Sequence, residues 1–101
     1  MHNNNLKIGK LKGLGPKSEQ ALNNIGIYTR KDLEKMGPIK AFIKLREKSD
    51  INPSLNFLYA MVGALEDKHW TTIAQQEKTR LLLELDGYQE LLFMMQPEGA
   101  K

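Results

Sequence analysis

The sequence predicts an all-α fold, a compact bundle of about five short helices. Apolar residues recur at helical spacing along most of the chain, and glycine and proline lie mostly between these periodic segments. No stretch alternates apolar and polar residues as a half-buried strand does. Polar residues, rich in Asn and Lys, open the chain. We therefore expect one helical domain at residues 11–95, a flexible arm at 1–10 and a flexible tail at 96–101.

The first predicted helix follows a glycine turn. Two glycines flank one leucine at residues 13–15. Pro16 suits the first position of a helix, because its missing N–H would have no partner there. We expect this helix to run from about Pro16 to Asn24, with Gly26 as its C-terminal stop.

Two short helices should follow. Thr29 with Asp32 has the pattern of a capping box, with Asp in place of the usual Glu, and opens a helix that ends at Gly37. Pro38 then starts a third helix, which should end near Lys48.

The second half predicts two longer helices. Asn52–Pro53 is a cap and first-turn pair for a helix that reaches about Asp67, and Thr72 with Gln75 resembles a capping box for a fifth helix. Gly87 interrupts the apolar pattern of that helix, so the residues beyond it either continue the helix with a bend or form a separate terminal segment.

Charge is distributed unevenly along the chain. Residues 1–48 hold 11 Lys or Arg against 4 Asp or Glu, whereas residues 49–101 hold 4 against 8. A basic half attracts polyanions, although two solvated faces of opposite sign would give the same composition.

The residues for catalysis are missing from the sequence. The histidines are His2 and His69, too few for a nucleophile–base set or a zinc site, and no phosphate-loop lysine motif is present. No apolar run approaches the roughly 20 residues that span a bilayer, and the start lacks the core of a signal peptide. The absence of cysteine fits a reducing interior. We expect a non-catalytic protein of the bacterial cytoplasm, with no cofactor, metal, membrane or small-molecule substrate.

The glycine turn carries the functional hypothesis. A tight turn into a helix leaves backbone N–H groups without partners, and these favour an anion. The alternative is that the turn only brings Leu11 and Leu14 into the core. The first interpretation predicts non-specific contact with DNA phosphates by Lys12, Gly13, Leu14, Gly15, Lys17, Arg30 and Lys31.

An apolar run near the C-terminus suggests a different class of function. Its side chains cannot all lie on one helix face, so some should meet either the domain's own core or a second chain. A protein-interaction adaptor or a self-associating domain, without DNA binding, is therefore the alternative, with a possible interface at Leu91, Leu92, Phe93, Met94 and Met95.

Four separated blocks resemble the C-terminal domain of the TfoX (Sxy) family, which includes regulators of bacterial DNA-uptake competence. They read Leu-x-Gly-Leu-Gly-Pro-Lys-Ser at 11–18, Gly-Ile-x-Thr-x-x-Asp-Leu at 26–33, Ser-Leu-Asn-x-Leu-Tyr-Ala at 54–60 and His-Trp at 69–70. The resemblance covers about residues 11–85 and implies a five-helix fold related to helix-hairpin-helix and SAM-like domains. Full-length regulators carry a further domain before this one, so the short arm predicts a stand-alone copy.

Overall fold

Six α-helices form the fold in the computed structural model, which describes residues 5–48 and 53–95, apart from the side chains of Lys48, Leu92, Phe93 and Met95. These residues contain no strand, only one isolated bridge between Lys7 and Thr29. The all-α prediction is confirmed. After a 3₁₀ helix at Ile8–Lys10, the helices are α1 (Pro16–Asn23), α2 (Arg30–Met36), α3 (Pro38–Lys48), α4 (Leu55–Glu66), α5 (Trp70–Gln76) and α6 (Lys78–Met95).

One hydrophobic core joins all of these elements. Each fully buried aliphatic side chain stabilises the fold by about 1.5–3 kcal/mol relative to an exposed one. The largest fully buried side chains are Ile8, Leu22, Ile27, Leu33, Leu45, Leu58, Met61, Ile73 and Leu81. None of the helices in the described residues is both long and apolar enough to cross a membrane.

The segment before the glycine turn packs on the domain, so the prediction of a flexible arm is wrong over residues 5–10. Ile8 is fully buried, and its amide donates to the carbonyl of Tyr28 at 3.2 Å. The amide of Arg30 donates to the carbonyl of Leu6 at 2.9 Å. Leu6 and Ile8 are isolated among polar residues and show no helical periodicity, so this packing could not be predicted from the sequence. The expected tail at 96–101 lies outside the described residues.

The start of α2 has the predicted capping box. The hydroxyl of Thr29 accepts from the amide of Asp32 at 3.2 Å, and the Asp32 carboxylate accepts from the amides of Thr29 at 3.2 Å and Tyr28 at 3.0 Å. The hydrogen bond from the Tyr28 amide is the main reason that the pKa of Asp32 lies below its usual 3.8.

Two predicted helix starts differ from the structure. α4 begins at Leu55 after Ser54, and Asn52 lies outside the described residues. α5 begins at Trp70, and its cap is the imidazole of His69, whose Nδ1 accepts from the amide of Thr71 at 3.2 Å. The expected capping box at Thr72 is therefore wrong, because histidine takes the place that serine or threonine usually occupies.

The expected fifth helix is two helices, α5 and α6, which meet at Glu77. The prediction of about five helices is thus one too few for the described residues. α6 continues through Gly87 to Met95, so the first of the two alternatives at Gly87, a continuing helix, is the one observed.

α4 and α5 pack closely at Gly63. The amide of Lys68 donates to the carbonyl of Gly63 at 2.8 Å, after Asp67 turns the chain in the left-handed conformation with φ 59°. A Cβ atom on Gly63 would lie 2.4 Å from the carbonyl oxygen of Lys68. Only glycine fits here, because the backbone that follows α4 occupies the space of a side chain.

Candidate nucleic-acid interface

The glycine turn buries its leucines and leaves several backbone amides without a protein acceptor among residues 5–48 and 53–95. Leu11 and Leu14 are both buried, and the amide of Leu14 donates to the carbonyl of Leu11 at 3.1 Å. Within the described residues, the amides of Gly13, Gly15 and Lys17 donate to no protein acceptor. The two interpretations of the turn are therefore compatible: its leucine side chains serve the core, while N–H groups in the turn and at the start of α1 have no acceptor in the described part of the chain.

The two glycines of the turn differ in backbone conformation. Gly13 has φ +83°, a conformation that other residues rarely adopt. Gly15 has an ordinary extended backbone, with φ −110° and ψ −166°. A Cβ atom on Gly15 would meet nothing within 4 Å. Neither backbone conformation nor packing within the domain requires glycine at position 15, and the bare Cα leaves a ligand free to approach the amides.

The lysines of the first half carry free charges. Among the described residues, ion pairs involve Arg30, Lys68 and Arg80, and none involves a lysine before residue 48. Lys12 and Lys17 are exposed on either side of the open amides. Exposed lysines without an ion partner on this half are Lys7, Lys10, Lys12, Lys17, Lys31, Lys35 and Lys40.

Arg30 belongs to the fold, which corrects its predicted role in DNA contact. It is only 4% exposed, and its guanidinium donates to the carbonyl of Leu65 at 2.6 Å and to the Glu34 carboxylate at 2.9 Å. The first of these bonds satisfies a carbonyl at the end of α4, where carbonyls lack helical partners. A side chain held in this way cannot reach a phosphate at the surface.

The remaining predicted residues lie on two elements. Lys12, Gly13, Gly15 and Lys17 share the turn and the start of α1, and the side chain of Leu14 lies in the core. Lys31 is exposed on α2, one residue after Arg30.

The 3₁₀ helix Ile8–Lys10 precedes the turn and contacts α1.

The second half of the chain has a different electrostatic character. The guanidinium of Arg80 pairs with the carboxylates of Glu77 and Glu84, and Lys68 pairs with Glu66. Burial and a hydrogen bond with Glu77 raise the pKa of Glu66, whereas Arg80 lowers the pKa of Glu77. No group of three or more His, Cys, Asp or Glu among the described residues has the geometry to hold a metal ion.

The predicted C-terminal interface is only partly described. Leu91 is 52% exposed and Met94 is 72% exposed, and Leu83 lies exposed earlier on α6. The spacing of these three residues places them on one face of the helix. The side chains of the other three members of the predicted set, Leu92, Phe93 and Met95, lie outside the described part.

Comparison with known proteins identifies the family. The family model for the TfoX C-terminal domain matches residues 2–85. The chain belongs to the TfoX C-terminal domain family. The DNA transformation protein TfoX of Haemophilus influenzae is 35% identical over 83 residues, and the match covers 79% of this chain and 38% of that protein. The chain thus spans well under half of the length of this relative.

A solved structure shares the architecture of this TfoX C-terminal domain. It is the crystal structure, in a triclinic form, of an uncharacterized protein from Listeria monocytogenes. The two chains have a TM-score of 0.70 and 26% sequence identity, and the match covers 82% of this chain and 93% of the Listeria chain. Nearly the whole of the Listeria chain therefore has the same fold as this domain.

Proposed function

We propose that this TfoX C-terminal domain is a binding module that contacts DNA through its phosphates. The open amides of Gly13 and Gly15 form the anchor, and Lys12 and Lys17 supply charge on either side. The observation that carries the proposal is Gly15, whose glycine identity the fold does not require and whose Cβ position faces empty space. Backbone amides at a helix start bind phosphate oxygens well, because the helix dipole favours negative charge there.

Such contact is independent of base sequence. Leu14 lies between the two glycines of the turn, and its side chain is buried in the core, so it cannot read a base edge. Phosphate contacts position a protein on DNA without sequence information, and their strength falls steeply with salt. The Haemophilus relative is named a DNA transformation protein. A role in competence regulation in the bacterial cytoplasm is part of the same proposal.

Fluorescence polarisation with a labelled DNA duplex tests the proposal at salt concentrations from about 50 to about 200 mM. The double variant Lys12→Glu/Lys17→Glu should bind more weakly and should lower the salt slope by about 2, one for each lost phosphate contact. The matched control is Lys78→Glu, which reverses an exposed, unpaired lysine on the acidic half. Equal binding by the double variant and the control would contradict the proposal, as would a lack of duplex binding by the unmodified domain at low salt.

The exposed apolar face of α6 favours a second candidate, a protein-interaction adaptor or a self-associating domain. Leu83, Leu91 and Met94 leave apolar surface on the side of α6 that faces away from the core. Light scattering on the unmodified chain and on Leu91→Glu/Met94→Glu tests self-association. A dimer that the double variant converts to a monomer would support it, and a monomer in both samples would remove it.

A further inference from the structure

A recess of about 390 Å³ lies between α1 and the segment that leads into α2, on residues that the proposed phosphate contact does not use. Its lining combines one aromatic ring with charged and polar side chains: Lys7, Glu19, Asn23, Tyr28 and Thr29. The recess therefore combines an aromatic residue with a few polar groups, as ligand sites commonly do.

Tyr28 presents its ring to solvent from a fixed backbone. The side chain is 56% exposed and contacts no other aromatic ring in the described residues. Its amide donates to the Asp32 carboxylate at 3.0 Å, and its carbonyl accepts from the amide of Ile8 at 3.2 Å. Because both sides of its peptide backbone are held, stacking a ligand on this ring costs little ordering of the chain.

The polar groups of the recess include both donors and acceptors. Lys7 has no ion partner, so its ammonium can donate to a ligand. The Asn23 amide lies next to two carbonyl oxygens, so the orientation that satisfies it has the nitrogen donating to the carbonyls of Ile27 at 2.8 Å and Glu19 at 3.2 Å and leaves the oxygen as an acceptor. The Glu19 carboxylate lies over Gly9, where a Cβ atom would come within 2.7 Å of it. A planar ligand with hydrogen-bond donors and acceptors on its edge suits this set.

We propose that the recess takes one unpaired base of a single-stranded nucleic acid, stacked on Tyr28. This proposal rests on the phosphate contact at the glycine turn. Glu19 lies one helical turn after Gly15, because its amide donates to the Gly15 carbonyl at 2.9 Å. Four residues rise about 6 Å along α1, so neighbouring nucleotides of one strand can reach both places.

Two features select this ligand over others. Bases in a duplex are stacked and paired, so only a single strand offers both a free face for Tyr28 and a free edge for the polar groups. A cationic side chain of a partner protein would suit Tyr28 and Glu19, but the unpaired ammonium of Lys7 in the same recess repels it.

Polarisation measurements with three labelled probes separate the base contact from the phosphate contact. The probes are a mixed-sequence single strand, its duplex, and an abasic strand of the same length. The unmodified chain should bind the base-bearing strand about tenfold more tightly than the abasic strand. Tyr28→Ala should remove that difference and leave abasic and duplex binding unchanged. Tyr28→Phe, which keeps the ring, should retain it, and thermal unfolding checks that both variants are folded.

The possible results distinguish the two proposals. If the unmodified chain binds both strands equally, or if Tyr28→Ala still prefers the base-bearing strand, the base-binding recess is overturned and the phosphate contact stands. If the unmodified chain binds none of the three probes at low salt, both proposals fail. Loss of the preference in Tyr28→Ala alone supports a base stacked on this ring.

Discussion

Two corners of this small domain use glycine in opposite ways. At the α4–α5 corner, the protein's own backbone fills the space beside Gly63, where a Cβ atom would lie 2.4 Å from the Lys68 carbonyl oxygen. At the turn into α1, the space beside Gly15 is empty to at least 4 Å. The first glycine is explained by packing within the domain. The second leaves an open approach to backbone amides, and we attribute this opening to a ligand.

The lysine and arginine side chains around the two corners also differ, since those at the α4–α5 corner are paired and, within the residues that the structure describes, those at the turn are not. At the α4–α5 corner, Lys68 lies 3.7 Å from the Glu66 carboxylate, and Arg80 pairs with Glu77 and Glu84. Around the turn, the lysines have no carboxylate partner in the described part of the chain. A glycine or a cation in a sequence therefore indicates a binding surface only where packing or ion pairing within the fold does not already account for it.

The largest change in stability should come from adding a methyl group at Gly63, at the α4–α5 corner. Gly63→Ala should lower the free energy of unfolding by about 3 kcal/mol, because the new methyl group would clash with backbone that has little freedom to move. Gly87→Ala is the matched control in a helix, since a Cβ atom there meets nothing within 4 Å. The control should stabilise the domain by up to about 1 kcal/mol through helix propensity. Urea unfolding measures both, and equal effects would show that the α4–α5 corner is looser than described.

A second test compares a cation used by the fold with a free one. Arg30→Ala should destabilise the domain by about 2 kcal/mol, because it removes charge-assisted hydrogen bonds to Leu65 and Glu34 and leaves the Leu65 carbonyl without that donor. Lys31→Ala, at the exposed neighbouring position, should leave stability nearly unchanged. Thermal unfolding compares the two variants, and an unchanged melting temperature for Arg30→Ala would place Arg30 back among the candidate DNA contacts.

The Asp32 carboxylate accepts from the backbone amides of Tyr28 and Thr29 at the start of α2. Its pKa in the folded state is lowered below 3.8, so its contribution to stability is present above 3.8 and is lost as the pH falls through the folded value. Asp32→Asn should therefore be less stable than the unmodified chain at neutral pH, and the difference should shrink in acid below 3.8. Denaturant unfolding across this range measures it, and a difference that is independent of pH would contradict the assignment.

The smallest effect on stability is expected at Gly15, in the turn into α1. Gly15→Ala should unfold at nearly the same denaturant concentration as the unmodified chain, because the extended backbone and the empty space accept a methyl group. Duplex binding at low salt should nevertheless weaken severalfold, since the methyl group stands where a phosphate would approach the amides. Gly87→Ala again serves as the control and should bind as the unmodified chain does. Unchanged binding by Gly15→Ala would remove the main support for the phosphate contact.

Much of the fold could be predicted from local patterns. The periodicity of apolar residues predicted the all-α class, and the Thr29–Asp32 spacing predicted the capping box of α2. Pro16 and Pro38 marked helix starts for a local reason, the lack of an N–H that would have no partner. Four sequence blocks also resembled the family to which the chain belongs. These features depend on residues a few positions apart, so the sequence alone contains their physical cause.

Other features depend on contacts between distant residues, which no local pattern reveals. The burial of Ile8 depends on the segment before α2, and the burial of Arg30 depends on a carbonyl 35 positions away, at Leu65. Composition predicted that the first half is basic, but only the tertiary structure separated the cation that the fold uses from those that remain free. The physical reason is that a backbone carbonyl without a partner in its own helix, such as that of Leu65, can accept from a side chain far away in sequence, such as that of Arg30.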